Sequence, residues 1–182
     1  MKGEPIPLSK RPADALLLAF FVVSLFYVAL VIDIEQLVIE DPDNFTYPPW
    51  PPKFLVDHVH WYGNTFDPLQ VARPTWWRAV ILHEMIFFVP YYPFAIYAFI
   101  RGRDWIRVPT LLYSASLLTI VLVILQEEAF GPHAAPNFPA VLAFNTPWLV
   151  APLYMILRMW RQEHPFKRRQ PSGHPPAAPS TP

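Results

Sequence analysis

The stretch ADALLLAFFVVSLFYVALVI at residues 13–32 decides the fold class of this chain. Its only polar side chains are Asp14, Ser24 and Tyr27. An α-helix rises ~1.5 Å per residue, so a run of this length can span the ~30 Å hydrocarbon core of a bilayer. The run is longer than the ~7–15 residue core of a secretory signal, and it ends in VIDIE (31–35), which offers no small-residue cleavage pattern. The sequence therefore predicts a retained transmembrane helix.

Three further apolar segments are long enough to span a bilayer, at residues 76–100, 105–125 and 141–160. Of the 182 residues, 53% are apolar and only 15% are charged, whereas about 25% of residues are charged in soluble domains. We therefore expect an all-α integral membrane four-helix bundle at residues 13–163. The remaining expectations are an N-terminal tail at 1–12, a loop at 33–75, an exposed loop at 126–139 and a disordered Pro-rich tail at 164–182.

The distribution of lysine and arginine predicts the orientation of the bundle. Eleven of the fourteen lie in the two tails, in the 101–107 turn or at the end of the last span, and the other three are Lys53, Arg73 and Arg78. Because basic residues accumulate on the cytoplasmic side, we expect both termini to be cytoplasmic. The Asn44-Phe45-Thr46 triplet would then be a lumenal glycosylation acceptor.

The composition also excludes several classes of function. The chain has no cysteine, so it can form no disulfide, thiolate metal site or cysteine nucleophile. The zero formal net charge hides an uneven distribution and does not decide the matter, but the sequence shows no basic face for a nucleic acid. Its five glycines form no phosphate-binding loop. His58 and His60 have no evident third ligand nearby in the sequence. We therefore expect no metal, no cofactor and no nucleic-acid partner.

Three carboxyl groups point instead to a polar site within or beside the membrane. Glu84 lies inside the second span, where a carboxyl group usually faces a cavity or a partner, although it could simply hydrogen-bond a neighbouring helix. Its neighbour His83 points ~100° away around the helix. Asp33 closes the first span and Asp67 precedes the second. The two aspartates either bind a cation or cap helix ends, and for Asp67, which precedes a proline, we favour the cap.

Prolines and an indole mark the remaining features of the spans. Pro90 and Pro93 remove backbone donors, bend the second span and leave carbonyl groups free to line a cavity. In the last span, Trp148 follows Asn145. An indole face there could hold a cation or a flat ring, or it could merely pack.

Several motifs resemble the EXPERA domain over residues 11–163: WY (61–62), FDPL (66–69), HEMIFFVPYYPFAIYAF (83–99), WIRVP (105–109) and YS (113–114). The resemblance implies a four-helix membrane bundle, usually in the endoplasmic reticulum or another endomembrane. It also implies an occluded pocket that opens toward membrane lipids and accepts sterols or hydrophobic amines. Receptor-like members of the family, which this chain resembles more than the others, are often homodimers.

The resemblance also assigns roles to the three carboxyl groups. Asp33 corresponds to the amine-binding aspartate, Glu84 to the buried glutamate that hydrogen-bonds it, and Asp67 to a supporting loop aspartate. The full set of ligand-binding residues that we expect is Asp33, Glu84, Asp67, Trp61, Tyr113, Asn145 and Trp148.

The family also contains a sterol double-bond isomerase, which keeps the enzyme interpretation open. Its histidine four residues before the position of Asp33 is replaced here by Ala29, but Asn145 and Trp148 resemble the isomerase in their spacing. Phe88 occupies a position where the receptor-like members carry glutamine, and a Pro-rich tail replaces their basic retrieval signal. Our leading hypothesis is a receptor-like protein that binds a sterol or amine in sterol homeostasis. The alternatives are an isomerase that uses Glu84 and Asp33, and a scaffold that regulates another membrane protein in sterol traffic.

Overall fold

A computed structural model describes residues 5–167, in which every element is helical and no β-strand occurs. In chain order the helices are α1 (Pro12–Val38), α2 (Lys53–Thr65), α3 (Pro68–Ala72), α4 (Thr75–Arg101), α5 (Asp104–Phe130) and α6 (Phe138–Arg161). Among the described residues, α1, α4, α5 and α6 are long and apolar enough to cross a membrane. The predicted all-α fold with four spans is therefore confirmed.

The outward faces of the four spans are apolar. Side chains that keep more than half of their surface exposed occur on each of them, including Phe26 (60%), Phe87 (60%), Leu112 (69%) and Leu157 (54%). Exposed apolar surface on this scale is unusual in a soluble monomer. It fits helices whose outer faces contact lipid.

Helix α1 continues beyond the predicted end of the first span. It runs past Ile32 to Val38, so Asp33 lies inside a continuous helix instead of at its end. The segment Ser24–Asp33 is π-helical, and so is Glu84–Phe88 in α4. The second segment ends two residues before Pro90, which supplies no N–H to the carbonyl of Ile86 and so favours a shifted hydrogen-bond register. π-Helical segments are rare, and single π turns such as Glu84–Phe88 often occur at functional sites.

An aromatic cluster forms the core at the end of the bundle near Gly102, which we call the turn end. Phe21 of α1 is fully buried, and its ring centroid lies 5.2–6.4 Å from those of Tyr91, Tyr92, Phe99 and Tyr113. Gly102 adopts φ 61°, in the left-handed region that favours glycine, and so ends α4. The cluster joins α1, α4 and α5.

A buried ion cluster closes the turn end. Asp14 of α1 pairs with both Arg11 and Arg158. The Arg11 guanidinium also donates to the carbonyl of Phe99 over 2.8 Å and lies over the ring of Phe166. Phe166 is fully buried, although the sequence analysis placed residue 164 at the start of the tail. The predicted disorder otherwise concerns residues 168–182, which lie outside the described residues, as do Met1 to Glu4.

Helices α2 and α3 cover the opposite end, which we call the covered end. Glu35 of α1 is fully buried, and its Oε1 accepts a hydrogen bond from Arg73 Nη2 over 2.7 Å. His60 Nε2 lies 2.7 Å from the same oxygen. Gln36, the next residue, accepts from the indole N–H of Trp77 over 2.9 Å. These contacts fasten the segment between α1 and α4 to the bundle.

Candidate functional site

A cavity of about 500 Å³ lies between the four spans and α2, on the covered-end side of the aromatic cluster. Ligand pockets for small molecules typically measure about 300–1,000 Å³ and are mostly apolar with a few polar groups. This cavity follows that pattern, because apolar side chains such as Ile81, Leu117 and Val121 form most of its wall. It can therefore accept an apolar molecule of moderate size.

Six of the seven residues that the sequence predicted for the site line this cavity: Asp33, Glu84, Asp67, Trp61, Asn145 and Trp148. Tyr113 is the exception. It stacks on Tyr91 with ring centroids 4.3 Å apart, and its hydroxyl group donates to that of Tyr92 over 3.3 Å. Tyr92, which the sequence analysis did not single out, lines the cavity in its place.

Asp33 and Glu84 form a carboxyl pair across the α1–α4 interface. Asp33 ends the π-helical segment of α1, Glu84 begins that of α4, and their carboxyl groups lie within hydrogen-bonding reach of each other. Two carboxyl groups can share a hydrogen bond only if one of them carries the proton. Asp33 Oδ2 has no donor among the described residues. The pair can therefore hold one negative charge and still accept a hydrogen bond from a ligand.

Asp67 immediately precedes α3, the position expected of a helix cap, and it is buried. Its Oδ2 accepts a hydrogen bond from Gln70 Nε2 over 3.0 Å. Burial raises the pKa of the Asp67 carboxyl above its ordinary value, although the hydrogen bond from Gln70 opposes this shift. The carboxyl groups of Asp67 and Glu128 also lie within hydrogen-bonding reach of each other. Asp67 thus belongs to a second carboxyl pair in the cavity wall.

The sequence analysis missed Glu128, because it placed the end of the third span at residue 125 and an exposed loop after it. In the structure α5 continues to Phe130, and Glu128 is only 1% exposed. Helical phase could have found it, since the inward residues of α5 recur at three- and four-residue spacing: Thr110, Ser114, Leu117, Val121, Leu125 and Glu128.

Trp61 and Trp148, the two tryptophans that the sequence predicted for the site, occupy different parts of the cavity wall. Trp148 of α6 lies beside Phe20, with ring centroids 5.8 Å apart. Asn145, one turn earlier, donates its side-chain N–H to the carbonyl of Val141 over 3.0 Å. Trp61 of α2 is half exposed and stacks on His58, which also lines the cavity. Aromatic faces are thus presented from both α6 and α2.

The histidine next to Glu84 does not share its surroundings. His83 Nε2 lies 2.9 Å from the hydroxyl oxygen of Ser116 on α5, while Glu84 faces Asp33. The helical offset between the two side chains is therefore as the sequence predicted. Ala29, at the position where the isomerase of the family carries histidine, is buried and offers no proton-transfer group.

Comparisons with known proteins agree with this architecture. The family model for EXPERA (EXPanded EBP superfamily) matches residues 54–159. Sigma intracellular receptor 2 of Xenopus tropicalis is 31% identical over 134 residues, which are 65% of this chain and 78% of that relative. The proteins of the same name from Homo sapiens and Macaca fascicularis are each 28% identical over 120 residues, 58% of this chain and 68% of theirs. This multi-pass membrane chain therefore belongs to the EXPERA family.

Proposed function

We propose that this protein is a sigma-2-receptor-like membrane protein that binds a sterol or a hydrophobic amine in its cavity. The observation that carries the proposal is the Asp33–Glu84 pair in the wall of an apolar cavity of about 500 Å³ between the spans. The similarity to proteins named sigma intracellular receptor 2 supports the same function. By analogy with its family we place the protein in the endoplasmic reticulum, as a homodimer that acts in sterol homeostasis.

The carboxyl pair explains how an amine would be held. An ammonium group would donate to Asp33, whose remaining oxygen would share a proton with Glu84. Such a charge-assisted hydrogen bond contributes ~1.5–3 kcal/mol. The apolar body of the ligand would lie against Trp148 and Tyr92, which line the same cavity. A sterol would use the same apolar wall and donate its hydroxyl proton to the pair.

The occupant of the cavity tests this proposal directly. The protein is purified gently in mild detergent, and mass spectrometry identifies the small molecules that remain bound. We expect a sterol or a hydrophobic amine at a nearly stoichiometric level. Asp33→Asn should reduce this level. Asp57→Asn should leave it unchanged, because Asp57 is an exposed carboxylate that pairs with Lys53 on α2. Retention of a protein partner without any such molecule would instead support the scaffold hypothesis.

A sterol double-bond isomerase is the second candidate, because Glu84 and Trp148 line one cavity. Glu84 could transfer the proton and Trp148 could stabilise a ring carbocation through its indole face. Ala29 leaves this interpretation without the histidine of the known isomerase. Expression in an isomerase-deficient cell separates the two functions, since a protein that only binds cannot restore sterol synthesis.

A further inference from the structure

The second carboxyl pair, Asp67 and Glu128, has no direct contact with the ligand in the proposed function. Asp67 comes from the start of α3 and Glu128 from the last turns of α5. Both line the same cavity as Asp33 and Glu84. The cavity therefore has two acidic positions, contributed by different helices.

The surroundings of this pair are rich in acceptors and poor in donors. Four buried oxygens have no hydrogen-bond donor within residues 5–167: Asp67 Oδ1, Gln70 Oε1, Glu128 Oε1 and Glu128 Oε2. The one side-chain donor already in use is Gln70 Nε2, which bonds Asp67 Oδ2. Buried acceptors in native proteins are almost always matched by donors. A proton shared between Asp67 and Glu128 matches two of these oxygens. The others stay free to accept hydrogen bonds from a ligand.

Neutral groups of the wall cannot meet this need. Burial, and after it the nearby charges of Asp67 and Glu128, raise the pKa of the Tyr62 hydroxyl above its ordinary value. It remains a neutral group with a single proton to donate. No lysine or arginine is among the described residues that line the cavity. Within residues 5–167 the only basic side chain of the cavity wall is His58, which stacks on Trp61, so no lysine or arginine of the wall pairs with Asp67 and Glu128.

The number of oxygen atoms at the second carboxyl pair favours an organic cation over a calcium ion. Calcium takes ~6–8 oxygen ligands, whereas Asp67, Gln70 and Glu128 together provide fewer, and one of these oxygens is occupied by Gln70. An ammonium group with two or three N–H donors matches several separate acceptors in an otherwise apolar wall.

We propose that Asp67 and Glu128 form a second cation anchor, so that the cavity prefers hydrophobic diamines over monoamines of the same size. One ammonium group binds at Asp33 and Glu84, and the second binds at Asp67 and Glu128. The apolar wall between the pairs holds the linker. This inference rests on the proposed function, because the first anchor is the site described there.

A matched series of ligands tests the second anchor on the full chain in detergent. The diamines are 1,n-di(piperidin-4-yl)alkanes, whose protonated secondary amines each carry two N–H donors. Each has a monoamine counterpart in which one ring is cyclohexyl. Affinities are measured by displacement of a tritiated hydrophobic monoamine across several linker lengths. At the best length we expect the diamine to bind ~10-fold more tightly than its counterpart, a difference of ~1.4 kcal/mol.

Single substitutions test whether Asp67 and Glu128 cause the preference for the diamine. Glu128→Gln and Asp67→Asn should each bring the ratio of the two affinities close to one. The matched control is Glu127→Gln, because Glu127 directly precedes Glu128 on α5 but contacts His133 at 2.6 Å and is absent from the cavity wall. It should leave the ratio unchanged.

The outcomes separate the two proposals. If monoamines bind through Asp33 but no linker length favours the diamine, the second anchor is refuted and the proposed function stands. A preference that persists in both Glu128→Gln and Asp67→Asn also refutes it. If the monoamine does not bind at all, the second anchor is refuted and the proposed function is restricted to sterols. The comparison in the unmodified chain decides the matter even if a variant fails to fold.

Discussion

Loss of the Glu35 carboxylate should strongly destabilise the covered end of the bundle. Glu35 is fully buried, and its Oε1 lies 2.7 Å from both Arg73 Nη2 and His60 Nε2. In Glu35→Ala the guanidinium of Arg73, itself buried, would lose its carboxylate. Breaking a buried pair in this way costs ~3–5 kcal/mol, because an uncompensated charge remains in the interior.

The matched control is Glu40→Ala, which removes a carboxylate from the same region of the chain. Glu40 pairs with Arg78 at 3.5 Å, but the two side chains are 77% and 39% exposed. An exposed pair contributes ~0–1 kcal/mol. Thermal unfolding of both variants in detergent measures the contrast. At ~2–4 °C per kcal/mol for a chain of this size, Glu35→Ala should lower Tm by ~6–20 °C and Glu40→Ala by at most ~4 °C. Equal shifts for the two variants would refute the buried network.

Four further predictions concern the rest of the bundle. Asp14→Ala should lower stability by ~3–5 kcal/mol, because Arg11 and Arg158 both lose their buried partner; a loss below 1 kcal/mol in a thermal unfolding assay would contradict the ion cluster. Phe21→Ala should cost ~3–5 kcal/mol, since Phe21 is fully buried, while the exposed Phe26→Ala should stay within ~0.5 kcal/mol; similar losses for both would argue against the aromatic core. Because burial raises the pKa of Asp67, the folded state binds the proton of this carboxyl group more tightly than the unfolded state does. The protein therefore becomes less stable as the pH rises from the ordinary pKa of Asp67 through the raised one. Asp67→Asn should thus raise Tm at pH 7 but not at pH 4, and an equal effect at both would contradict the shift. Finally, protein made in microsomes should carry a glycan on Asn44, so that an endoglycosidase lowers its mass. An acceptor added at the C-terminus should receive no glycan, and the reverse pattern would overturn the predicted orientation.

The sequence could predict the four spans because each is a continuous apolar run of sufficient length. The carboxyl groups Asp33, Glu84 and Asp67 were recognisable for a similar reason, since a charged group at or near membrane depth is costly and rarely incidental. The structure brings all three to one cavity. Composition and motif were sufficient for that part of the site.

Features that depend on helical phase or long-range contact could not be read in the same way. Hydropathy falls at Gln126-Glu127-Glu128, so it ended the third span early, although the helix continues and turns Glu128 inward. The bond between Arg73 and Glu35 joins residues 38 positions apart, and nothing in the local sequence indicates it. Tyr113 belongs to the expected motif, yet it hydrogen-bonds Tyr92, which lines the cavity, and is not itself part of the wall.

The binding of a tritiated hydrophobic amine to the unmodified chain, to Asp33→Asn and to Asp57→Asn tests the central claim most directly. Asparagine keeps the shape of Asp33 and can still hydrogen-bond Glu84, but it removes the negative charge. We expect Asp33→Asn to weaken binding by ~10-fold or more, whereas the exposed Asp57→Asn leaves it unchanged. Equal affinities for all three proteins would contradict an amine site at Asp33.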